Sequence, residues 1–241
     1  RVEIPAFSAT PVTFLVDGRI RGDAKDALRY LNEAPMLSRL LGGAFAESNG
    51  SGPVDVRLGL SVPLAQPERT RVKVTANLQK TNFAYGHGLP TLEDAVGTLV
   101  ITEKGVDTPS PVEGRTAAGP ARVAVRTDKN DVVIDIDGRA APADLARLVS
   151  DPGFTPVFSA LSGTAPYARV DLQGKTPLRI SGRSNLAGLT SALPAPFAKS
   201  ASEVWPTSFS WAPRASGQGL VVSSAGHLEA ALYFDDRKEG Y

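Results

Sequence analysis

The chain has 241 residues and a mass of 25.3 kDa, is 42% hydrophobic and 21% charged, and balances Lys+Arg 26 against Asp+Glu 25 for a formal net charge of +1. That balance excludes disorder driven by charge excess, and the lack of a concentrated basic footprint excludes a nucleic-acid reader. Cys is 0 and His is 2 (His87 and His227), so thiol chemistry, disulfides and centres built from several imidazoles drop out, and no run approaches the ~18 apolar residues of a membrane-spanning helix.

The chain opens on Arg1 rather than a start residue, and its single Met is Met36; both features suit a segment of a longer protein. Phe14 to Arg19 reads as a strand. Asp23 to Leu41 reads as a helix with Ala27, Leu28, Leu31, Leu37, Leu40 and Leu41 near one face, broken or kinked by Pro35. From Val54 to Leu64 the even positions (Val54, Val56, Leu58, Leu60, Val62, Leu64) are apolar, and the odd ones (Asp55, Arg57, Gly59, Ser61, Pro63) are not. Period two over such a run predicts a strand with one greasy face. Val72, Val74, Ala76 and Leu78 repeat the pattern, as do Val132, Ile134 and Ile136 against Val133, Asp135 and Asp137. Ala141 to Val149 reads as a short helix, with Pro142 suited to its first turn. Val170/Leu172, Leu178/Ile180 and Leu228 to Phe234 are further strands of long antiparallel type.

An internal repeat organises these elements. Phe14-Leu15-Val16-Asp17-Gly18-Arg19 leads into Asp26-Ala27-Leu28-Arg29, and Ile134-Asp135-Ile136-Asp137-Gly138-Arg139 leads into Asp144-Leu145-Ala146-Arg147. Asp-Gly-Arg alone reads as a turn closing a strand; turn, helix, loop and strand pair recurring in order reads as duplication. The expected fold is mostly β (α+β), an elongated curved antiparallel sheet or trough built from about two repeats. Residues 1–130 form the first, with a helix near 23–41, and residues 131–241 the second, with a helix near 141–149. The end strands, near Val2–Thr10 and Leu228–Phe234, would be unpaired edges prone to weak edge-to-edge self-association, guarded by Pro5 and Pro11 at one end and Asp235 to Lys238 at the other.

Chemistry is hard to find. His87, in Gly86-His87-Gly88, is a candidate base or simply a hairpin tip; His227 reads as a surface residue at the start of a strand. Asp135 and Asp137 share a strand face and could hold a cation, but they are read as a solvated face opposite Val132, Ile134 and Ile136. Asp128-Lys129-Asn130-Asp131 reads as a turn. Trp205, Phe209 and Trp211 form an aromatic cluster, either a core patch or a carbohydrate or interfacial surface. No nucleophile elbow or phosphate loop occurs. The expectation is no enzyme and no cofactor.

From Gly163 onward the residues follow a known pattern. Gly163-Thr164-Ala165-Pro166-Tyr167 is followed by alternating strands, then Ser184-Asn185-Leu186-Ala187-Gly188-Leu189, then Leu193-Pro194-Ala195-Pro196-Phe197-Ala198-Lys199. This run resembles the central region of the YhdP proteins, AsmA-like envelope proteins of Gram-negative bacteria, with Asn185 where the family usually has an acidic residue. The strand Leu58 to Leu64 and Gly97-Thr98-Leu99 fit the same layout. The resemblance implies a periplasmic segment attached to the inner membrane through a part of the protein outside this chain. It also implies a β-sheet trough with an apolar interior that carries phospholipid toward the outer membrane, without catalytic residues. The partners implied are phospholipid acyl chains, with no nucleic acid.

The expected groove lining is Val56, Leu58, Leu60 and Val62 from one strand and Val72, Val74 and Leu78 from the next. Val132, Ile134 and Ile136 continue it, then Leu178 and Ile180. The alternative is a structural or protein-interaction module of the envelope, in which the same faces form a dry core.

Overall fold

The computed structural model describes residues 2–3, 13–33, 46–66, 69–86, 90–128, 131–148, 155–173, 179–214 and 217–234. In chain order the elements are β1 (Val2–Glu3), β2 (Thr13–Asp23), α1 (Ala24–Glu33), β3 (Asn49–Ser51), β4 (Pro53–Pro63), β5 (Arg71–Ala84) and β6 (Leu92–Thr102). There follow β7 (Gly105–Asp107), β8 (Val112–Thr116), β9 (Gly119–Asp128), β10 (Asp131–Ala140), α2 (Pro142–Leu148) and α3 (Thr155–Ser159). The last are β11 (Leu161–Gly163), β12 (Ala165–Gln173), β13 (Arg179–Ser184), β14 (Leu189–Ser191), β15 (Thr207–Arg214), β16 (Gly217–Ser224) and β17 (Leu228–Phe234).

Fifteen of these strands form one open antiparallel sheet, in the order β1-β2-β4-β5-β6-β8-β9-β10-β12-β13-β15-β16-β17, with β3 on β5 and β7 on β6. β11 and β14 pair separately. The molecule is a mostly β sheet carrying a few short helices. Most neighbouring strands are joined by a hairpin or a helical detour, and β13 reaches β15 through the stretch that carries β14. β2 runs into α1, and the chain returns as β4 to pair with β2; β10 runs into α2 and α3, and the chain returns as β12 to pair with β10. The i,i+3 ion pair Asp26–Arg29 (3.0 Å) in α1 has its counterpart in Asp144–Arg147 (3.6 Å) in α2. The sheet is continuous between β9 and β10, where the expected repeat boundary falls.

Several expectations need correcting. The Asp-Gly-Arg triplets are not turns: Asp17-Gly18-Arg19 lies inside β2 and Asp137-Gly138-Arg139 inside β10, and each strand ends only where its helix is capped. Asp23 does this for α1, accepting from Lys25 N and Gly52 N, both at 2.9 Å; Asp144 does it for α2, accepting from Ala141 N at 2.9 Å. The second half has two helices rather than one, because Thr155–Ser159 makes a further turn of helix. The first helix is described only to Glu33; residues 34–41 lie outside the described residues, as do His87, Lys129, Asn130, Val149, Leu178, Pro5, Pro11 and residues 235–241. Val133, expected on the wet face, is 2% exposed beside the Arg126–Asp135 ion pair. His227 sits in the turn before β17 and stacks on Trp205, with ring centroids 4.1 Å apart.

Two residues change the face that β5 and β6 present. Lys80 (φ 60) and Asp94 (φ 51) adopt left-handed backbone, and the register shifts between Gln79 and Thr81. Inward positions on β5 are therefore even up to Leu78 and odd at Thr81 and Phe83.

Candidate functional site

The strand registers line up one uninterrupted apolar row. On one side it runs Gly18–Leu58–Val74–Ile101–Val106, each residue directly opposite the next on the neighbouring strand. On the other it runs Val125–Ile134–Leu172–Ile180–Trp211–Leu220–Leu232. Directly opposed residues share a face, so the row crosses the sheet from β2 to β17 on one side. β7 and β9 join through threonine hydroxyls: Val106 N donates to Thr127 Oγ1 (2.8 Å) and Val125 N to Thr108 Oγ1 (2.9 Å).

Expected lining residues fall on this face. Val72, Val74 and Ile134 are buried in one cluster with Ile101, Val106 and Val125, and Val56, Leu58, Leu60, Val132, Ile136 and Ile180 pack around it half-buried. Leu78 packs on an adjoining cluster around Leu92, Ala95 and Val112, and Val62 lies half-buried opposite Phe14. The charged side chains of β2 and β4 lie on the opposite face. There Asp55, its side chain 6% exposed, accepts from Arg19 Nε (2.9 and 3.1 Å) and from Arg21 Nε (3.1 Å). These arginines, Arg19 first, hold its carboxyl down at about 2 against the opposing effect of burial.

Helix α1 closes part of the apolar face and leaves space beneath it. A cavity of about 160 Å³ is bounded by Ala24, Ala27, Leu28 and Leu31 of α1 and by Val54, Ala76, Leu78, Thr81 and Phe83 of β4 and β5. Its far wall is Val112, Ala121, Val123 and Val125, then Ile134, Ile136 and Tyr167. Among the described residues no charged side chain lines it. Six inter-strand steps separate β4 from β12, about 29 Å if the sheet were flat. A cavity this small touches both Val54 and Tyr167 because the sheet curls around it. Apolar cavities near 150 Å³ stay dry and admit benzene-sized molecules. Gly50 seats the helix: a Cβ there would lie 3.0 Å from Leu28 Cδ1 and 3.2 Å from Ala24 Cβ.

Sequence reading missed the middle of this face. Ala121, Val123 and Val125 alternate with Arg122 and Arg126, a usable signal, but Val96 to Ile101 is nearly all apolar, so period two is hidden there. Phe83 and Tyr85 were obscured by the switch of parity at Lys80.

The run from Gly163 to Lys199 builds a corner of the fold. Ser184 Oγ donates to Pro166 O (2.7 Å), Asn185 Oδ1 accepts from Ala187 N (3.0 Å), and Gly188 N donates to Ala201 O (2.8 Å). Lys199 Nζ reaches Leu189 O and Ser200 O, both at 2.9 Å. Gly163 must be glycine, since a Cβ would fall 2.2 Å from Gly188 O. In the aromatic cluster, Trp211 and Phe209 are half-buried on β15, with Trp211 opposite Ile180 in the apolar row.

Compared with known protein families, residues 1–239 match the family described as YhdP protein. No curated protein and no solved structure matches.

Proposed function

The chain belongs to the YhdP family of AsmA-like envelope proteins, and on that premise we propose that it is a periplasmic segment of an inner-membrane-anchored lipid conduit. It holds phospholipid acyl chains on the apolar sheet face for passage toward the outer membrane and performs no covalent chemistry on them. The observation that carries this reading is the apolar row from β2 to β17, unbroken by a charge. A sixteen-carbon chain costs on the order of 13 kcal/mol in water at ~0.8 per methylene, so a path toward the other membrane has to be greasy throughout. The cavity under α1 adds unfilled apolar space on that path. Among the described residues no helix is long and apolar enough to cross a membrane.

A structural or protein-interaction module with a dry core is the rival reading, favoured by the middle of the face, where Ile101 and Val106 are 1% exposed. Native mass spectrometry of gently purified protein separates the two: acyl lipid retained by the wild type supports the conduit. Leu60→Asp, at a half-buried position of the face, is expected to abolish lipid retention and transport while the chain stays folded. Protein that carries no lipid, or a Leu60→Asp chain that simply unfolds as a buried charge demands, would favour the dry core.

A further inference from the structure

The two Asp-Gly-Arg copies differ in what their glycines face. A Cβ on Gly18 would meet nothing within 4 Å, whereas one on Gly138 would lie 2.7 Å from the Tyr167 hydroxyl, 3.0 Å from its Cζ and 3.3 Å from Ala121 Cβ. Tyr167 of β12 is directly opposite Gly138 of β10. Its ring therefore lies across the bare glycine, and the hydroxyl reaches back over β10 toward Ala121, which lines the cavity with it.

Three other hydroxyl side chains line that cavity. Thr81 Oγ1 donates to Pro53 O (2.8 Å), Thr116 Oγ1 donates to Gly119 O (3.3 Å), and Tyr85 is engaged within the fold. The Tyr167 hydroxyl has no hydrogen-bond partner among the described residues. A phenol at the wall of an otherwise apolar space is a donor that no protein acceptor meets, and its hydroxyl is not sealed within the protein. Burial first, then the carboxylates of Asp144 and Asp137, push its pKa up to about 12, so at any ordinary pH it keeps its proton and can donate.

We propose that the Tyr167 hydroxyl is the polar anchor of the acyl site: it donates a hydrogen bond to the ester carbonyl of a bound acyl lipid, fixing where the chain enters the cavity beneath α1. This rests on the conduit reading and adds a chemical preference, for ester-linked over ether-linked chains. Gly138 is the positioning residue that makes room for the hydroxyl.

The test compares a sixteen-carbon 1-acyl lysophospholipid with its 1-O-alkyl ether analogue, each below its micellar concentration, by displacement of a fluorescent acyl probe from the whole chain. Wild type is expected to bind the ester about fivefold more tightly, the worth of one neutral hydrogen bond. Tyr167→Phe should remove that preference by weakening the ester alone, and Gly138→Ala, which pushes the hydroxyl aside, should do the same, with melting temperature checking that each variant is folded. An unchanged preference in Tyr167→Phe, or equal weakening of both lipids, overturns the anchor and leaves the conduit standing. Wild type that binds neither lipid overturns the conduit and the anchor with it.

Discussion

Lys199 is 4% exposed and spends its ammonium on two backbone carbonyls, Leu189 O and Ser200 O. Lys199→Met would strip the donor from both acceptors, and a buried carbonyl left unpaired costs about 1–3 kcal/mol. The variant should melt several degrees lower without change to acyl binding, since the corner it holds lies away from the cavity lining; an unchanged melting temperature would mean that water replaces the ammonium. Asn185 Oδ1 accepts from Ala187 N, a local bond that shapes this turn. Asp55 makes a pH prediction. Its folded pKa of about 2 lies below the ~3.9 of a free carboxyl, so the arginine cluster stabilises fully above that value. The stabilisation is lost as pH falls from about 4 toward 2. Asp55→Asn should lower the melting temperature at neutral pH and flatten its fall over that acid window. Parallel melting curves for wild type and variant would contradict it.

Among the elements, α1 is the one that turns an open face into a cavity. Its seat on β3 is close enough to lock: Ala24 Cβ is 3.2 Å from where a Gly50 Cβ would stand, a little under the usual separation in a disulfide. The chain has no cysteine of its own, so Ala24→Cys with Gly50→Cys has a clean background. The pair should oxidise, and mass spectrometry under mild oxidant reads the bond as a loss of two hydrogens. Free thiols after oxidation would show that α1 does not sit on β3 as described. The register shift at Lys80 serves the same element: it moves Thr81 and Phe83 to the inner face, and β3 takes over from β4 as partner of the end of β5, placing Gly50 beneath the helix.

At the scale of the whole molecule, the surface is large: 14505 Å² against about 10,000 Å² for a compact monomer of this mass. On the apolar face Ile20 of β2 is 67% exposed, while Leu15 of β2, Val221 of β16 and Tyr233 of β17 are exposed on the other face. At the two ends of the strand order β1 is only two residues long, and β17 presents a long free edge among the described residues. Edge backbone with alternating apolar residues pairs with another copy. Light scattering over a hundredfold concentration range should show apparent mass rising gradually, more weakly once Ala231→Lys adds a charge to β17. A constant monomer mass at all concentrations would refute edge pairing.

Local period-two patterning by itself determined that this chain is made of antiparallel strands with one greasy face. The run Val54 to Leu64 appears as β4, and Leu228 to Phe234 as β17, because alternation is a property of each strand alone. The helix starts were legible for the same reason, since capping by Asp23 and Asp144 acts over three residues or fewer. Tertiary structure alone decided which strands became neighbours, and with them the row from Gly18 to Leu232. Register is set by contacts between distant residues, and bulges at Lys80 and Asp94 alter it with no signature in a hydrophobic pattern. It also decided that identical triplets serve differently: Gly18 faces open space and Gly138 receives a tyrosine ring, because only the second is opposed by Tyr167 across a strand pair closed by a helical detour.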